Sequence, residues 1–145
     1  MSQENVEIVR AATAAAKTPE GIAALASSDF DFAMLDPEIE WDASQAGDLV
    51  PDLAAVYWGH DGVRTYWRQW LEAWRDLKFD VKDILDAGNE IVVLICNQRQ
   101  WGRYSGIVSE LPPFALIYTF RDGKIARCRI VPNHESALKA VGLAE

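Results

Sequence analysis

Apolar residues recur along residues 63–74 at intervals of three and four: Val63, Tyr66, Trp67, Trp70, Leu71 and Trp74. That spacing is one stripe of an amphipathic helix. Arg64, Arg68, Gln69, Glu72 and Arg75 fill the other side, which predicts a solvated face. Gly59 and Asp61 supply a turn and an N-cap at its start. The stretch from Val56 to Trp74 carries four of the six tryptophans, so this helix needs a broad apolar partner. A curved sheet would supply it. Core packing accounts for most such rings; the alternative is that some of them wall a pocket between helix and sheet.

Upstream, residues 3–16 read as a helix with Val6, Val9, Thr13 and Ala16 on one face. Thr18 and Pro19 restart a helix as N-cap and first helical residue, with Ile22, Leu25 and Ala26 apolar and Ser27-Ser28 at its end. Phe30, Phe32, Met34 and Leu35 fit a helical turn or an irregular segment equally well. Asp36-Pro37 acts as a breaker, and Glu38 to Asp42 alternates as a strand. A loop runs through Pro51, and Leu53 to Trp58 lead into the tryptophan helix. Beyond that helix the period drops to two. Phe79 and Val81 alternate with charged neighbours, Asp86 to Asn89 form a turn, and Glu90 to Trp101 form a long strand. Gly102 to Gly106 is turn-like or bulged. Strands at 114–120 and 125–131 flank a tight turn over Arg121 to Lys124. Asn133 caps a closing helix that carries Leu138 and Val141 and ends at Gly142. In the long strand Ile91, Val93 and Ile95 share one face, and Val92, Leu94 and Cys96 the other. Both faces therefore need cover, one from the helices and the other from a second subunit. The predicted class is α+β, with helices gathered against a curved antiparallel sheet.

Composition narrows the function classes. A chain of 145 residues is expected to form one domain, residues 1–145. A net charge of −8 disfavours nucleic acid, which needs a basic face, and anionic membrane surfaces. No apolar run reaches the length of a membrane span. The polar start, Met1 to Arg10, has no secretory pattern, and Cys96 and Cys128 lie in strand-like runs as expected for buried free thiols. A soluble, cytoplasmic protein is expected.

Four stretches, taken in order, carry a resemblance: Leu35-Asp36-Pro37-Glu38-Ile39-Glu40-Trp41, Gly59-His60-Asp61-Gly62-Val63-Arg64, Phe120-Arg121-Asp122-Gly123-Lys124-Ile125 and Ala137-Leu138-Lys139-Ala140-Val141-Gly142-Leu143. Together they resemble the SnoaL-like branch of the nuclear transport factor 2-like superfamily, over nearly the whole chain. The resemblance implies a cone, in which a strongly bent sheet wraps round helices and leaves a pocket at its open end. It also implies a homodimer through the outer sheet face. The family hosts polyketide cyclases, steroid isomerases, epoxide hydrolases, dehydratases and binding modules, so the fold alone does not deliver a function. The isomerases' tyrosine on the first helix has no counterpart near Thr13. The aspartate that isomerases and cyclases carry on a late strand is absent from Phe114 to Thr119. Their base aligns approximately with Trp41-Asp42, and Tyr104 stands where the cyclases place a histidine.

Proton-transfer chemistry needs a base and a facing donor in a dry pocket. Between Thr18 and Val63 there is no Lys or Arg but ten acids, whereas Asn97 to Arg129 holds six cations and two acids. Asp42 is therefore the candidate catalytic base, with Arg99 or Arg103 as a partner; such a pair lowers the carboxylate pKa and suits a structural role better. His60 reads as an exposed residue of the helix-entry turn, and His134 as a surface residue of the last helix. No ligand spacing suggests a metal, and no cofactor fingerprint occurs. Trp41, Tyr57, Trp67, Trp70, Arg99, Trp101, Tyr104 and Tyr118 are the candidate ligand-binding residues, an aromatic set with few polar handles. Three readings stand side by side. One is a SnoaL-like protein with a pocket for a small, largely apolar ligand. Another is a cyclase, isomerase or epoxide hydrolase-like enzyme using Asp42. The last is a non-catalytic dimeric scaffold whose own aromatics fill the pocket.

Overall fold

Two pairs of left-handed residues set the sheet's meander. Asn89 and Glu90 have φ of 52° and 61°, and Asp122 and Gly123 have 54° and 79°. Two consecutive positive φ values make the type I′ turn, whose twist matches that of the strands it joins. In the computed structural model, which describes residues 2–27, 32–45, 55–102 and 106–142, these turns join β3 (Trp74–Gly88) to β4 (Ile91–Gly102) and β5 (Val108–Arg121) to β6 (Lys124–Val131). The Asp122-Gly123 turn falls where the sequence puts it. The earlier turn sits at Asn89-Glu90, later than expected, because β3 runs through Asp86 to Gly88 with a register shift.

Among the described residues the remaining strands are β1 (Leu35–Asp42) and β2 (Val56–Trp58), and the six form one sheet in the order β2-β1-β6-β5-β4-β3. All neighbours are antiparallel except β1 and β6, which run parallel. The sheet is thus mixed, not wholly antiparallel. Asp36-Pro37 does not stop β1. Pairing with β6 shifts register between Leu35 and Glu40, so the breaker becomes a bulge inside the strand. The β2 strand replaces what the sequence reads only as a lead-in.

Among the described residues four helices pack with this sheet: α1 (Ser2–Ala15), α2 (Pro19–Ala26), α3 (Gly59–Ala73) and α4 (His134–Ala140). Thr18 caps α2 by accepting from the Gly21 N–H, and Asn133 caps α4 by accepting from Glu135 and Ser136, as the sequence indicates. The tryptophan helix begins earlier than expected, at Gly59, so Asp61 lies in its first turn instead of capping it. Gly59 has φ of 72°, and a Cβ there would lie 3.2 Å from the Pro37 carbonyl oxygen. Only glycine fits this contact between α3 and the β1 bulge without strain. Trp74 opens β3 instead of ending α3. Arg64 is not on a solvated face: its guanidinium lies over the Phe32 ring at 4.9 Å and donates to the Ser27 carbonyl at 3.2 Å.

Val63, Tyr66 and Trp70 of α3 are buried and pack on the concave sheet face with Ile39, Trp41, Leu94, Tyr118, Ile125 and Cys128. The strand residues of opposite phase form a second apolar cluster on the outer face: Val93, Ile95, Ala115, Ile117 and Val131. Within the chain α4 covers them, through Ala137 with Leu138 and Val141. Val93 and Ala115 are fully buried there. The two-faced apolar strands that raised the expectation of a second subunit therefore have a partner inside the chain. Among the described residues, no helix is long and apolar enough to cross a membrane.

Candidate functional site

A cavity of about 100 Å³ lies between the helices and the concave face. The helices contribute Ala12 and Thr13 from α1, Ile22 and Leu25 from α2, and Val63, Tyr66, Trp67 and Trp70 from α3. The sheet contributes Trp41 of β1, Leu77 and Phe79 of β3, Leu94 and Gln98 of β4, Leu111, Phe114, Leu116 and Tyr118 of β5, and Ile125 and Ile130 of β6. Leu77 and Phe79, Leu94 and Gln98, and Phe114, Leu116 and Tyr118 keep the even spacing that sends alternate side chains to one face, while register shifts reset the phase between Leu111 and Phe114 and between Ile125 and Ile130.

One wall is a packed aromatic group. The rings of Trp41 and Tyr66 are 5.5 Å apart, those of Trp41 and Trp67 5.9 Å, and those of Tyr66 and Trp67 5.0 Å, the last two pairs edge to face. Such contacts hold each ring in a fixed orientation. The polar groups are few. Thr13 donates its hydroxyl to the Val9 carbonyl at 2.7 Å. Gln98 donates from Nε2 to Oε1 of the fully buried Gln100 at 2.5 Å, and Gln100 Nε2 has no acceptor. Trp41 is 6% exposed, and its indole N–H likewise has no acceptor. Burial pushes the Tyr66 and Tyr118 phenols well above their ordinary range, with the Cys128 thiol adding to the effect at both. Both phenols stay protonated at neutral pH. Cys96 and Cys128 are buried free thiols whose pKa values burial also raises.

Trp41, Trp67, Trp70 and Tyr118 of the expected ligand-binding set line the cavity; Tyr57, Arg99 and Trp101 are not among its lining residues. Tyr57 packs its ring on Tyr66 at 5.4 Å and donates its hydroxyl to Gln69 Oε1 at 3.0 Å. Arg99 is exposed and pairs with Glu110 at 2.9 Å, across the antiparallel register that sets them opposite each other. Tyr104 lies outside the described residues. Thr13 and Gln98 are polar lining residues that the candidate set omits. The signal for Gln98 was available: it continues the alternation of Val92, Leu94 and Cys96 by one further step.

Asp42 ends β1 on the opposite face from Ile39 and Trp41, and it is not among the lining residues. Its carboxylate is mostly buried and accepts from the Ser44 backbone N–H at 3.0 Å and the Ser44 hydroxyl at 2.5 Å. Among the described residues its cationic neighbour is Arg127 at 3.5 Å, not Arg99, because the parallel β1–β6 pairing sets Arg127 beside Glu40 and Asp42; Arg103, the other expected partner, lies outside the described residues. Arg127 also donates to Glu40 at 3.1 Å. Burial raises the Asp42 pKa, but the two Ser44 hydrogen bonds and the Arg127 charge outweigh it and hold the carboxyl below its ordinary value.

A bent mixed sheet round an apolar cavity, closed by helices, is the architecture of nuclear transport factor 2-like proteins, and solved structures agree. An NTF2-like protein of unknown function from Burkholderia pseudomallei K96243 superposes with a TM-score of 0.73 at 18% identity, covering 97% of this chain and 98% of its own. TerC, co-crystallized with polyporic acid, gives 0.69 at 18% identity over 96% of this chain and 98% of its own. A putative SnoaL-like polyketide cyclase from Jannaschia sp. CCS1 gives 0.66 at 14% identity over 100% and 96%. The sequence profile of the SnoaL-like domain matches residues 10–128, and the chain belongs to that family. No curated protein matches it in sequence.

Proposed function

We propose that this chain binds a small, uncharged, largely apolar molecule in the cavity between its helices and the concave sheet face. The observation that carries this reading is the composition of the lining. Among the described residues it contains no Asp, Glu, His, Lys, Arg or Cys. An acid–base enzyme needs a group whose pKa lies near the working pH within hydrogen-bond reach of the reacting atom. The protonated phenols of Tyr66 and Tyr118 do not meet that need, and Asp42 is engaged by Ser44 and Arg127 on the other side of its strand. The arrangement around Asp42 suits anchoring of the chain after β1 more than proton abstraction. TerC, of the same fold, has been co-crystallized with polyporic acid, which lends support to a small-molecule role.

The test is a methyl NMR titration with cyclopentane, a probe with no polar atom. Resonances of Val63, Leu94, Leu116, Ile125 and Ile130 are expected to shift and saturate, while those of Val93 and Ile117 on the outer face stay still. Ala12→Phe, which places a ring into the cavity from α1, is expected to abolish the shifts. Equal shifts in the wild type and the variant would contradict the reading.

A further inference from the structure

Buried polar groups are almost always paired, and each exception calls for a physical reason. Among the described residues, four buried side-chain atoms have no partner: Trp41 Nε1, Asn97 Oδ1, Gln100 Nε2 and Arg129 Nε. Of these four residues, Trp41 alone lines the cavity. We infer that the Trp41 indole N–H is the hydrogen-bond donor that orients the cavity's ligand. The ligand is then a neutral molecule, apolar over most of its surface, with one oxygen acceptor of the ketone-carbonyl type. This rests on the cavity being the binding site proposed above.

An indole N–H is a donor only, so its complement is an acceptor. Its position is fixed before any ligand arrives. The ring packs on Tyr66 and Trp67, and the backbone is held on both sides, by Tyr57 of β2 and Cys128 of β6. A fixed donor loses little freedom on binding and gives direction as well as affinity. The size of the cavity sets the body of the ligand. About 150 Å³ holds a benzene ring in an engineered apolar cavity, so about 100 Å³ fits a five-membered ring or a short branched chain. A charged ligand is disfavoured, since no lining residue among those described offers an opposite charge.

The experiment compares cyclopentanone with cyclopentane, which differ by the carbonyl. Dissociation constants come from the lining methyls in the wild type and in Trp41→Phe, which removes the N–H and keeps an aromatic ring. The ratio of cyclopentanone to cyclopentane affinity is expected to fall about three- to tenfold in the variant, the worth of one net hydrogen bond, because the ratio cancels the change in cavity shape that both probes feel. In the wild type, the Trp41 indole proton is expected to move downfield with cyclopentanone and not with cyclopentane, a readout that stands even where the variant fails to fold. An unchanged ratio, or equal indole shifts with both probes, overturns the inference while leaving the cavity reading intact. If neither probe moves a lining methyl, both readings fall together.

Discussion

Asp42 illustrates how far one residue's role depends on its strand's neighbours. Its pKa lies below the ordinary aspartate value of 3.8, so the folded chain holds that proton less tightly than the unfolded chain does. The resulting stability is fully present above about pH 4 and is lost as pH falls through the lower folded value. Asp42→Asn is therefore expected to lower stability by about 1–2 kcal/mol at pH 7 and by progressively less below pH 4. Urea unfolding at both pH values measures this, and a difference independent of pH would contradict it. Gly59 makes a second residue-scale case. Gly59→Ala must adopt φ near 72° and bring a Cβ to 3.2 Å from the Pro37 oxygen, at an expected cost of roughly 1–3 kcal/mol. Trp70 is 2% exposed and also lines the cavity. Trp70→Ala is expected to cost about 3–5 kcal/mol and to weaken cyclopentane binding as well. The sequence sets core and pocket against each other as alternatives for this ring, and the fold makes it both.

Elements with their own period or cap were legible in the sequence, and elements made by partners were not. The α3 stripe, the Thr18 and Asn133 caps and the Asp122-Gly123 turn follow from local chemistry, and each lies at or near its expected place. The three-residue β2 strand has too few positions to show a period; it exists because β1 pairs with it. The bulge at Asp36-Pro37 likewise depends on β6 lying parallel alongside, which no local pattern encodes. The same limit hid the site. Pairing of β1 with β6 gives Asp42 to Arg127 instead of Arg99. Gln98 was readable by extending the inward phase of β4, whereas the separation of Tyr57 from the lining depends on how β2 meets α3. The strongest element-scale prediction concerns α4, which covers Val93, Ile95, Ala115 and Ile117. Ala137 is fully buried in that contact, so Ala137→Asp buries a charge without a partner. Circular dichroism on heating is expected to show one of the largest losses of any single substitution, several kcal/mol. Light scattering is expected to show self-association as the outer face is uncovered. A monodisperse variant of wild-type stability would contradict the role given to α4.

At the scale of the whole molecule, α4 changes what a homodimer would have to be. On the outer face, a pair would meet the partly exposed Glu40–Arg127 ion pair beside the surface that α4 covers. The pairing expected from the sequence is thus a proposal about a salt-sensitive interface: twice the chain's mass at low ionic strength, falling to one chain at high. One chain at every salt concentration would remove it. The cavity is the other whole-molecule property, since β1, β3, β4, β5 and β6 and helices α1, α2 and α3 all contribute to its lining. Its central feature is the absence, among the described lining residues, of any group that titrates near neutrality. The most direct measurement is the dissociation constant of cyclopentane, followed on the lining methyls from pH 5 to pH 9. Saturable binding that stays within about twofold across that range is the predicted result, because burial keeps Tyr66 and Tyr118 protonated throughout. Failure to bind, or an affinity that rises or falls through a midpoint inside that window, would contradict it.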